Sequence, residues 1–217
     1  MTVFREGPVS GFLHQPEAQG NRGLVLTHGA GGNCKAPLLV LLADAFCAAG
    51  YWVLRCDLAF RQRKPFGPPS PATGAGDRAS LHAAVAAMRK LTAGPLVLAG
   101  QSYGGRQSSL LAAEVPGLAD SLLLLSYPLH PPGKPDQPRT AHFPALHTPA
   151  LFIHGTRDPF GTIEELSAAL QMIPAKKELV SVEGAGHDLK GAKFKLADTV
   201  IARIGALGVP TSRPLTA

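Results

Sequence analysis

The chain has 217 residues, of which 45% are hydrophobic and 17% are charged, and its formal net charge is +6. This composition predicts one folded domain with a sizeable core, and no apolar run approaches the roughly 20 residues that a membrane helix needs. The first twenty residues lack the hydrophobic region of a secretory signal, and the three cysteines show no CxxC spacing, so we expect a cytoplasmic protein with reduced thiols and no membrane contact.

Strand and helix signals alternate along the chain, as is typical of a parallel sheet with helices on both faces. The predicted strands are residues 2–5, 9–13, 24–27, 51–56, 96–99 and 121–126, with two more that begin at Ala150 and Leu179. The predicted helices are residues 38–49, 77–91 with Asp77 as the N-cap, 106–114, 162–170 and 190–207. We expect one α/β domain over residues 1–208 without a separate lid domain, followed by a loose tail at 209–217.

The most specific motif is a serine between two glycines, Gly100-Gln101-Ser102-Tyr103-Gly104, directly after an apolar strand. The glycines permit a strained turn and close packing of the strand on the following helix, and this turn exposes the serine hydroxyl to a substrate. A serine that only caps a helix does not need a glycine on each side. The pattern therefore predicts a nucleophile elbow with Ser102 as the nucleophile.

A loop of small residues, GAGG at residues 29–32, follows the third predicted strand, upstream of the elbow. We expect the backbone N–H groups of Ala30 and Tyr103 to face each other and to bind the oxyanion of a tetrahedral intermediate. The same glycines begin like a dinucleotide-binding GxGxxG motif, but Cys34 stands where the third glycine belongs, and the chain has no GK[ST] sequence. Nucleotide binding is therefore excluded.

Two later strands end in loops that carry an acid and a histidine, Asp158 and His187. The chain order Ser102, Asp158, His187 is that of α/β-hydrolases. A neutral imidazole can take the serine proton and return it to a leaving group, and an acid on the other ring nitrogen sets the tautomer. Glu183, which ends the strand before the histidine loop, is the alternative acid, whereas Asp188 is adjacent to His187 and poorly placed.

Two connections, residues 57–76 and 127–148, are longer than a compact domain needs. Both follow the carboxyl ends of predicted parallel strands, where α/β sheets bind ligands, so we expect them to frame the serine around an open or shallow pocket. Basic side chains there would favour a substrate with a carboxylate or phosphate, or they would only keep this surface soluble and pair with the protein's own acids. The candidate substrate-binding residues are Arg61, Arg63, Lys64, Arg106 and His130.

Other classes of ligand have little support in the sequence. The eight histidines show no HxxxH spacing and no His/Cys cluster, so we predict no metal site and no cofactor. His154, near the end of its strand, is interpreted as a core or supporting histidine. The basic residues are not interleaved with aromatic residues, so we expect a small-molecule substrate and no nucleic acid.

Four segments together resemble the small lid-less α/β-hydrolases of the dienelactone-hydrolase-like group. They are HGAGG, GQSYGGR, HGTRDPFG and GAGHDL, at residues 28–32, 100–106, 154–161 and 184–189. More narrowly, the chain resembles a subgroup of predicted hydrolases with a testis-expressed protein, a subunit of a nuclear histone-acetyltransferase complex and many bacterial proteins. Residues 60–65 and 127–135 are similar to segments of the bacterial members.

Carried over to this chain, the resemblance implies Ser102 as the nucleophile, Asp158 as the orienting acid and His187 as the base. Dienelactone hydrolases proper have a cysteine at the elbow, so dienelactone is not implied as the substrate. We predict a serine hydrolase that cleaves a small ester, thioester or lactone through an acyl-enzyme. The alternative is a non-catalytic member that uses the fold as an interaction module, and the complete set of three residues argues against it.

Overall fold

Mostly parallel strands form the centre of the fold in the computed structural model, which describes residues 1–17, 20–190 and 196–207. The strands are Thr2–Glu6 (β1), Val9–His14 (β2), Arg22–Thr27 (β3), Tyr51–Cys56 (β4), Leu96–Gln101 (β5), Ser121–Leu125 (β6), Ala150–Gly155 (β7) and Lys177–Val182 (β8). Within the described residues they form one sheet in the order β1-β2-β4-β3-β5-β6-β7-β8. Strand β2 pairs antiparallel with both β1 and β4, and the other neighbours pair in parallel.

Helices cover both faces of this sheet because successive residues of a strand point to opposite faces. The helices are Pro37–Ala48 (α1), Ala59–Arg63 (α2), Gly74–Leu91 (α3), Tyr103–Glu114 (α4), Ile163–Leu170 (α5) and Leu196–Leu207 (α6). On β3, Val25 packs in one apolar cluster with α3, α4 and α5, whereas Leu24 and Leu26 pack in a second cluster with α1 and α6. The predicted layer arrangement is therefore confirmed.

The start of helix α3 differs from the prediction. The helix begins at Gly74, and Asp77, the expected N-cap, lies fully buried inside its first turns. The Asp77 carboxylate accepts hydrogen bonds from the N–H of Phe60 and from the hydroxyl of Tyr103, both at 2.8 Å. Asp77 thus joins the segment after β4 to the first residue of α4, a tertiary role that a helix-capping pattern cannot indicate.

The last predicted helix is described only in part. It runs over Leu196–Leu207, and Lys190, its predicted first residue, lies in a turn. Residues 191–195, the proposed domain boundary at 208 and the predicted tail at 209–217 lie outside the described residues. Part of the predicted loop at 57–76 forms helix α2 and a short 3-10 turn at Pro71–Thr73.

The chemistry-bearing loops meet at one edge of the sheet, at the carboxyl ends of β3, β5, β7 and β8. Within the part of the chain that the structure describes, no separate lid domain covers this edge. The same residues include no helix that is long and apolar enough to span a membrane. They also include no group of His, Cys, Asp and Glu side chains arranged to hold a metal ion.

Candidate active site

Ser102 lies on a strained turn between strand β5 and helix α4. Its backbone has φ 50° and ψ −116°, a conformation that residues with a Cβ rarely adopt. The N–H of Ser102 donates to the carbonyl of Leu125 at 2.7 Å, and its own carbonyl accepts from the N–H of Arg106 at 2.9 Å. The neighbouring strand β6 and the first turn of α4 therefore hold the strained residue in place.

The glycines of the elbow permit backbone contacts that a side chain would block. A Cβ on Gly104 would lie 2.5 Å from the carbonyl oxygen of His28 and 2.7 Å from Cγ2 of Thr27. A Cβ on Gly100 would lie 2.4 Å from the carbonyl carbon of Gly104. Larger residues at these positions would push α4 away from β3 and β5, which is the packing requirement that the motif predicts.

His187 connects Ser102 to Asp158 by hydrogen bonds. Its Nε2 lies 2.8 Å from Oγ of Ser102, and its Nδ1 lies 2.8 Å from Oδ2 and 3.0 Å from Oδ1 of Asp158. An ionised carboxylate can only accept hydrogen bonds, so Nδ1 carries the proton and Nε2 accepts from the serine hydroxyl. In this arrangement, Nε2 is the atom that can take the serine proton.

Phe160 fixes both partners of this hydrogen bond. Its ring lies 4.2 Å from the His187 ring, centroid to centroid, and its N–H donates to Oδ1 of Asp158 at 2.9 Å. The Asp158 side chain has no exposed surface, whereas that of His187 is 25% exposed. In this buried position, the attraction between the carboxylate and a protonated imidazole is stronger than it would be in water.

Asp158, and not Glu183, contacts His187, and His154 lies apart from the serine. Glu183 is exposed, and within the described residues His187 makes its side-chain hydrogen bonds to Asp158 and Ser102. His154 is fully buried, its Nε2 donates to the carbonyl of Gly161 at 2.8 Å, and burial lowers its pKa. His154 is therefore a neutral side chain that supports the segment carrying Asp158, and it is not placed to act on the serine.

The loop after β3 brings Ala30 to the same cleft as Ser102 and Tyr103. Within the described residues, neither the N–H of Ala30 nor that of Tyr103 donates a hydrogen bond, so both donors are available to a ligand oxygen. Gly29 permits the close approach of this loop, because a Cβ there would lie 3.3 Å from Cβ of Ser102. This placement fits the expected pair of oxyanion donors.

Arg61 holds the loop after β3 and does not face a substrate. Its side chain is only 5% exposed, and its guanidinium donates to the carbonyls of Ala30 and Gly32, each at 2.7 Å. It also donates to the carbonyls of Gly67 at 3.0 Å and Lys64 at 3.1 Å. These bonds correct the expectation that Arg61 binds an anionic substrate, because its hydrogen-bonding groups are directed at the protein's own backbone.

Three other candidates are not brought to the cleft. Arg63 and Lys64 are exposed near the end of α2 and do not line it. His130 is buried, and its Nε2 lies 3.3 Å from Oε2 of Glu165. Of the candidate substrate-binding residues, only Arg106 lines the cleft beside the serine.

A cleft of about 660 Å³ opens beside Ser102. Both long loops contribute to its walls, including the side chains of Pro68, Pro69, Pro71 and Pro128. The cleft also contains Arg78, Arg106 and Arg139, of which Arg78 and Arg139 were not candidates. The positive charge of residues 57–78 and 127–148 was the signal that could have identified them, but the sequence does not show which of these charged side chains line the cleft.

The charge of Arg106 acts on several groups around the cleft. Burial and the neighbouring Arg106 lower the pKa of Arg139, and the same two causes lower the pKa of His142 to about 4. Burial and the hydrogen bond to Asp77 raise the pKa of Tyr103 to about 12. At neutral pH, His142 and Tyr103 are therefore neutral, and the arginines determine the charge of the cleft.

The sheet order and the serine elbow at its carboxyl edge define a protein of the α/β-hydrolase class. The chain belongs to the family described as alpha/beta hydrolase domain, whose model matches residues 20–200. This membership confirms the class of fold that the motifs predict.

Solved structures of several hydrolases share this fold. An alpha-beta serine hydrolase homologue from Coxiella burnetii is 20% identical with a TM-score of 0.76, covering 94% of this chain and 97% of that chain. A serine hydrolase without a lid from Xanthomonas campestris is 20% identical with a TM-score of 0.71, covering 94% and 91%. A dienelactone hydrolase from Anabaena variabilis is 21% identical with a TM-score of 0.68, covering 92% and 90%. These likenesses confirm the fold without a separate lid domain.

Proposed function

We propose that this protein is a serine hydrolase that cleaves a small ester, thioester or lactone through an acyl-enzyme intermediate. The observation that carries the proposal is the His187 ring, which lies 2.8 Å from Oγ of Ser102 and 2.8 Å from Oδ2 of Asp158. A serine hydroxyl is a weak nucleophile at neutral pH and needs a base within hydrogen-bond reach. Here the base is present, and an acid orients it.

The reaction proceeds in two halves. Oγ of Ser102 attacks the carbonyl carbon of the substrate while Nε2 of His187 takes its proton, and the N–H groups of Ala30 and Tyr103 bind the oxyanion. The bond from the carbonyl carbon to the alcohol or thiol then breaks, and the leaving group takes the proton from His187. Water, activated by the same imidazole, next hydrolyses the acyl ester on Ser102 and releases the acid.

A non-catalytic interaction module is not favoured. Such a module does not need a serine at φ 50° with a base 2.8 Å from its hydroxyl. Strained residues cluster at active sites, and here the hydroxyl of the strained serine is hydrogen-bonded to a histidine that a buried acid orients. The assembled geometry therefore supports an enzyme.

We also propose the hydrolase subgroup to which the protein belongs and its cellular compartment. The four motifs around Ser102, Asp158 and His187 support membership of the predicted-hydrolase subgroup with the bacterial proteins. The three cysteines of the chain are free thiols. Free thiols support a reducing compartment, and we place the protein in the cytoplasm with a small-molecule substrate.

A fluorophosphonate probe followed by peptide mapping tests the proposed function. We expect the label on Ser102 in the wild type. The Ser102→Ala variant should neither be labelled nor hydrolyse 4-nitrophenyl butyrate, and its circular dichroism spectrum should match that of the wild type. Ser167→Ala is the matched control, because Ser167 is an exposed serine on α5. Hydrolysis by the pure Ser102→Ala protein, or a label on another residue, would refute the proposal.

A further inference from the structure

In the part of the chain that the structure describes, two arginines of the cleft have no acidic partner. Nε of Arg106 is buried and has no hydrogen-bond partner among the described residues, and no Asp or Glu lines the cleft there. Burial and Arg106, another cation, lower the pKa of Arg139, and the opposing group is the phenol of Tyr127, not a carboxylate. The remaining residues, 18–19, 191–195 and 208–217, include no aspartate or glutamate that could supply the missing charge.

Arg78, the third arginine of the cleft, is paired with an acidic side chain. Nε of Arg78 lies 2.8 Å from Oε2 of Glu114, and its Nη1 donates to Oε1 of Gln107 at 3.1 Å. Among the described residues, Arg106 and Arg139 lack such partners. They lie close enough together that the charge of Arg106 lowers the pKa of Arg139. Two neighbouring cations that repel each other are stabilised when a bound anion lies between them.

Hydrogen bonds hold the backbones of both arginines in place. Arg106 lies one helical turn after Ser102 on α4, about 6 Å along the helix axis, and its N–H donates to the serine carbonyl. The N–H of Arg139 donates to the carbonyl of Leu129 at 2.7 Å, and its carbonyl accepts from the hydroxyl of Tyr127 at 2.7 Å. Tyr127 is fully buried, so the backbone of Arg139 is anchored to the core.

We propose that Arg106 and Arg139 bind a terminal anionic group of the acyl chain, so that the substrate is an ester or thioester of an acid with a second, free carboxylate or phosphate. The inference rests on the proposed function and names the substrate class of that site. Guanidinium groups suit this role because their planar fork pairs with the oxygens of either anion. The proposal keeps Arg106 from the predicted set, adds Arg139, and leaves out Arg61 and its neighbours, which do not line the cleft.

Three esters with the same leaving group test the inference: 4-nitrophenyl methyl adipate, mono-4-nitrophenyl adipate and 4-nitrophenyl 5-phosphonopentanoate. We expect kcat/KM of the wild type to be about tenfold higher for at least one anionic ester than for the neutral one. The preferred anion distinguishes a carboxylate from a phosphate. Arg106→Gln and Arg139→Gln, which lie on different elements, should each reduce this preference about tenfold, and added salt should reduce it in the wild type.

Arg5→Gln is the matched control, because it removes the same charge from an exposed position on β1 and should leave the preference unchanged. If the neutral ester is hydrolysed but the wild type shows no preference, or both cleft variants keep it, the inference is overturned and the hydrolase proposal stands. If no ester is hydrolysed, the proposed function fails, and titration calorimetry with monomethyl adipate and with methylphosphonate on Ser102→Ala decides the inference. Binding of either compound supports the inference if it is lost when Arg106→Gln is added to the Ser102→Ala protein. Absence of binding overturns the inference.

Discussion

Replacing Arg61 by alanine is expected to destabilise the fold instead of changing substrate recognition. The guanidinium lies between the loop after β3 and the segment after α2, and it donates to the carbonyls of Ala30, Gly32, Lys64 and Gly67. The alanine variant leaves four carbonyl oxygens without this donor in a place where the arginine is only 5% exposed. The loop that carries the Ala30 N–H would lose its two hydrogen bonds to Arg61.

The size of the effect follows from these bonds. A hydrogen bond to a charged group contributes about 1.5–3 kcal/mol, so four independent bonds would sum to more than single substitutions usually cost. Water reaches part of the cavity that the arginine leaves and rebinds some of the carbonyls, which reduces the loss. We therefore expect Arg61→Ala to lower the free energy of unfolding by about 3 kcal/mol.

Urea unfolding followed by the fluorescence of Trp52, the only tryptophan, measures this loss. Arg63→Ala is the control, because Arg63 is an exposed arginine on the same short helix and should change stability by less than about 0.5 kcal/mol. Arg61→Lys should recover only part of the stability, since an ammonium lacks the planar fork. An Arg61→Ala protein with wild-type stability and a higher KM for an anionic ester alone would refute this reasoning.

The other predictions concern the acid, the elbow and the pH dependence. Asp158→Asn should lower kcat for 4-nitrophenyl butyrate on the order of 10⁴-fold, because an amide NH2 that replaces the oxygen facing Nδ1 favours the wrong histidine tautomer, and Glu183→Gln should leave kcat nearly unchanged; the reverse ranking would assign the acid to Glu183. Gly104→Ala should abolish hydrolysis and cost about 1–3 kcal/mol in urea unfolding, whereas Gly205→Ala on α6, where a Cβ meets no atom of the described residues within 4 Å, should be neutral or stabilising. Burial and a neighbouring arginine lower the folded-state pKa of His142 to about 4, while the unfolded chain binds that proton near pH 6.5. The free energy of unfolding should therefore fall as pH falls from 6.5 towards 4, and His142→Gln should make this fall less steep; an unchanged slope would contradict the assignment.

The sequence by itself determined the features that depend on neighbouring residues. The alternation of strands and helices is local, and so is the chemistry of the glycines around Ser102, which the structure explains by close contacts with β3. Chain order indicated Asp158 and His187 as the partners of the serine. The first two signals lie within a few residues, and chain order is a property of the sequence alone, so all three could be read without knowing how the chain packs.

Only the tertiary structure decided which charged side chains face the serine. The bond between His187 and Ser102 joins residues 85 positions apart, and only such long-range contacts distinguish the buried Asp158 from the exposed Glu183. Arg61 and Arg139 both lie in long basic loops, yet packing directs the first at backbone carbonyls and leaves the second beside Arg106 in the cleft. The sequence does not determine where a charged side chain points until the backbone folds. The role of each arginine is therefore a property of the packed structure.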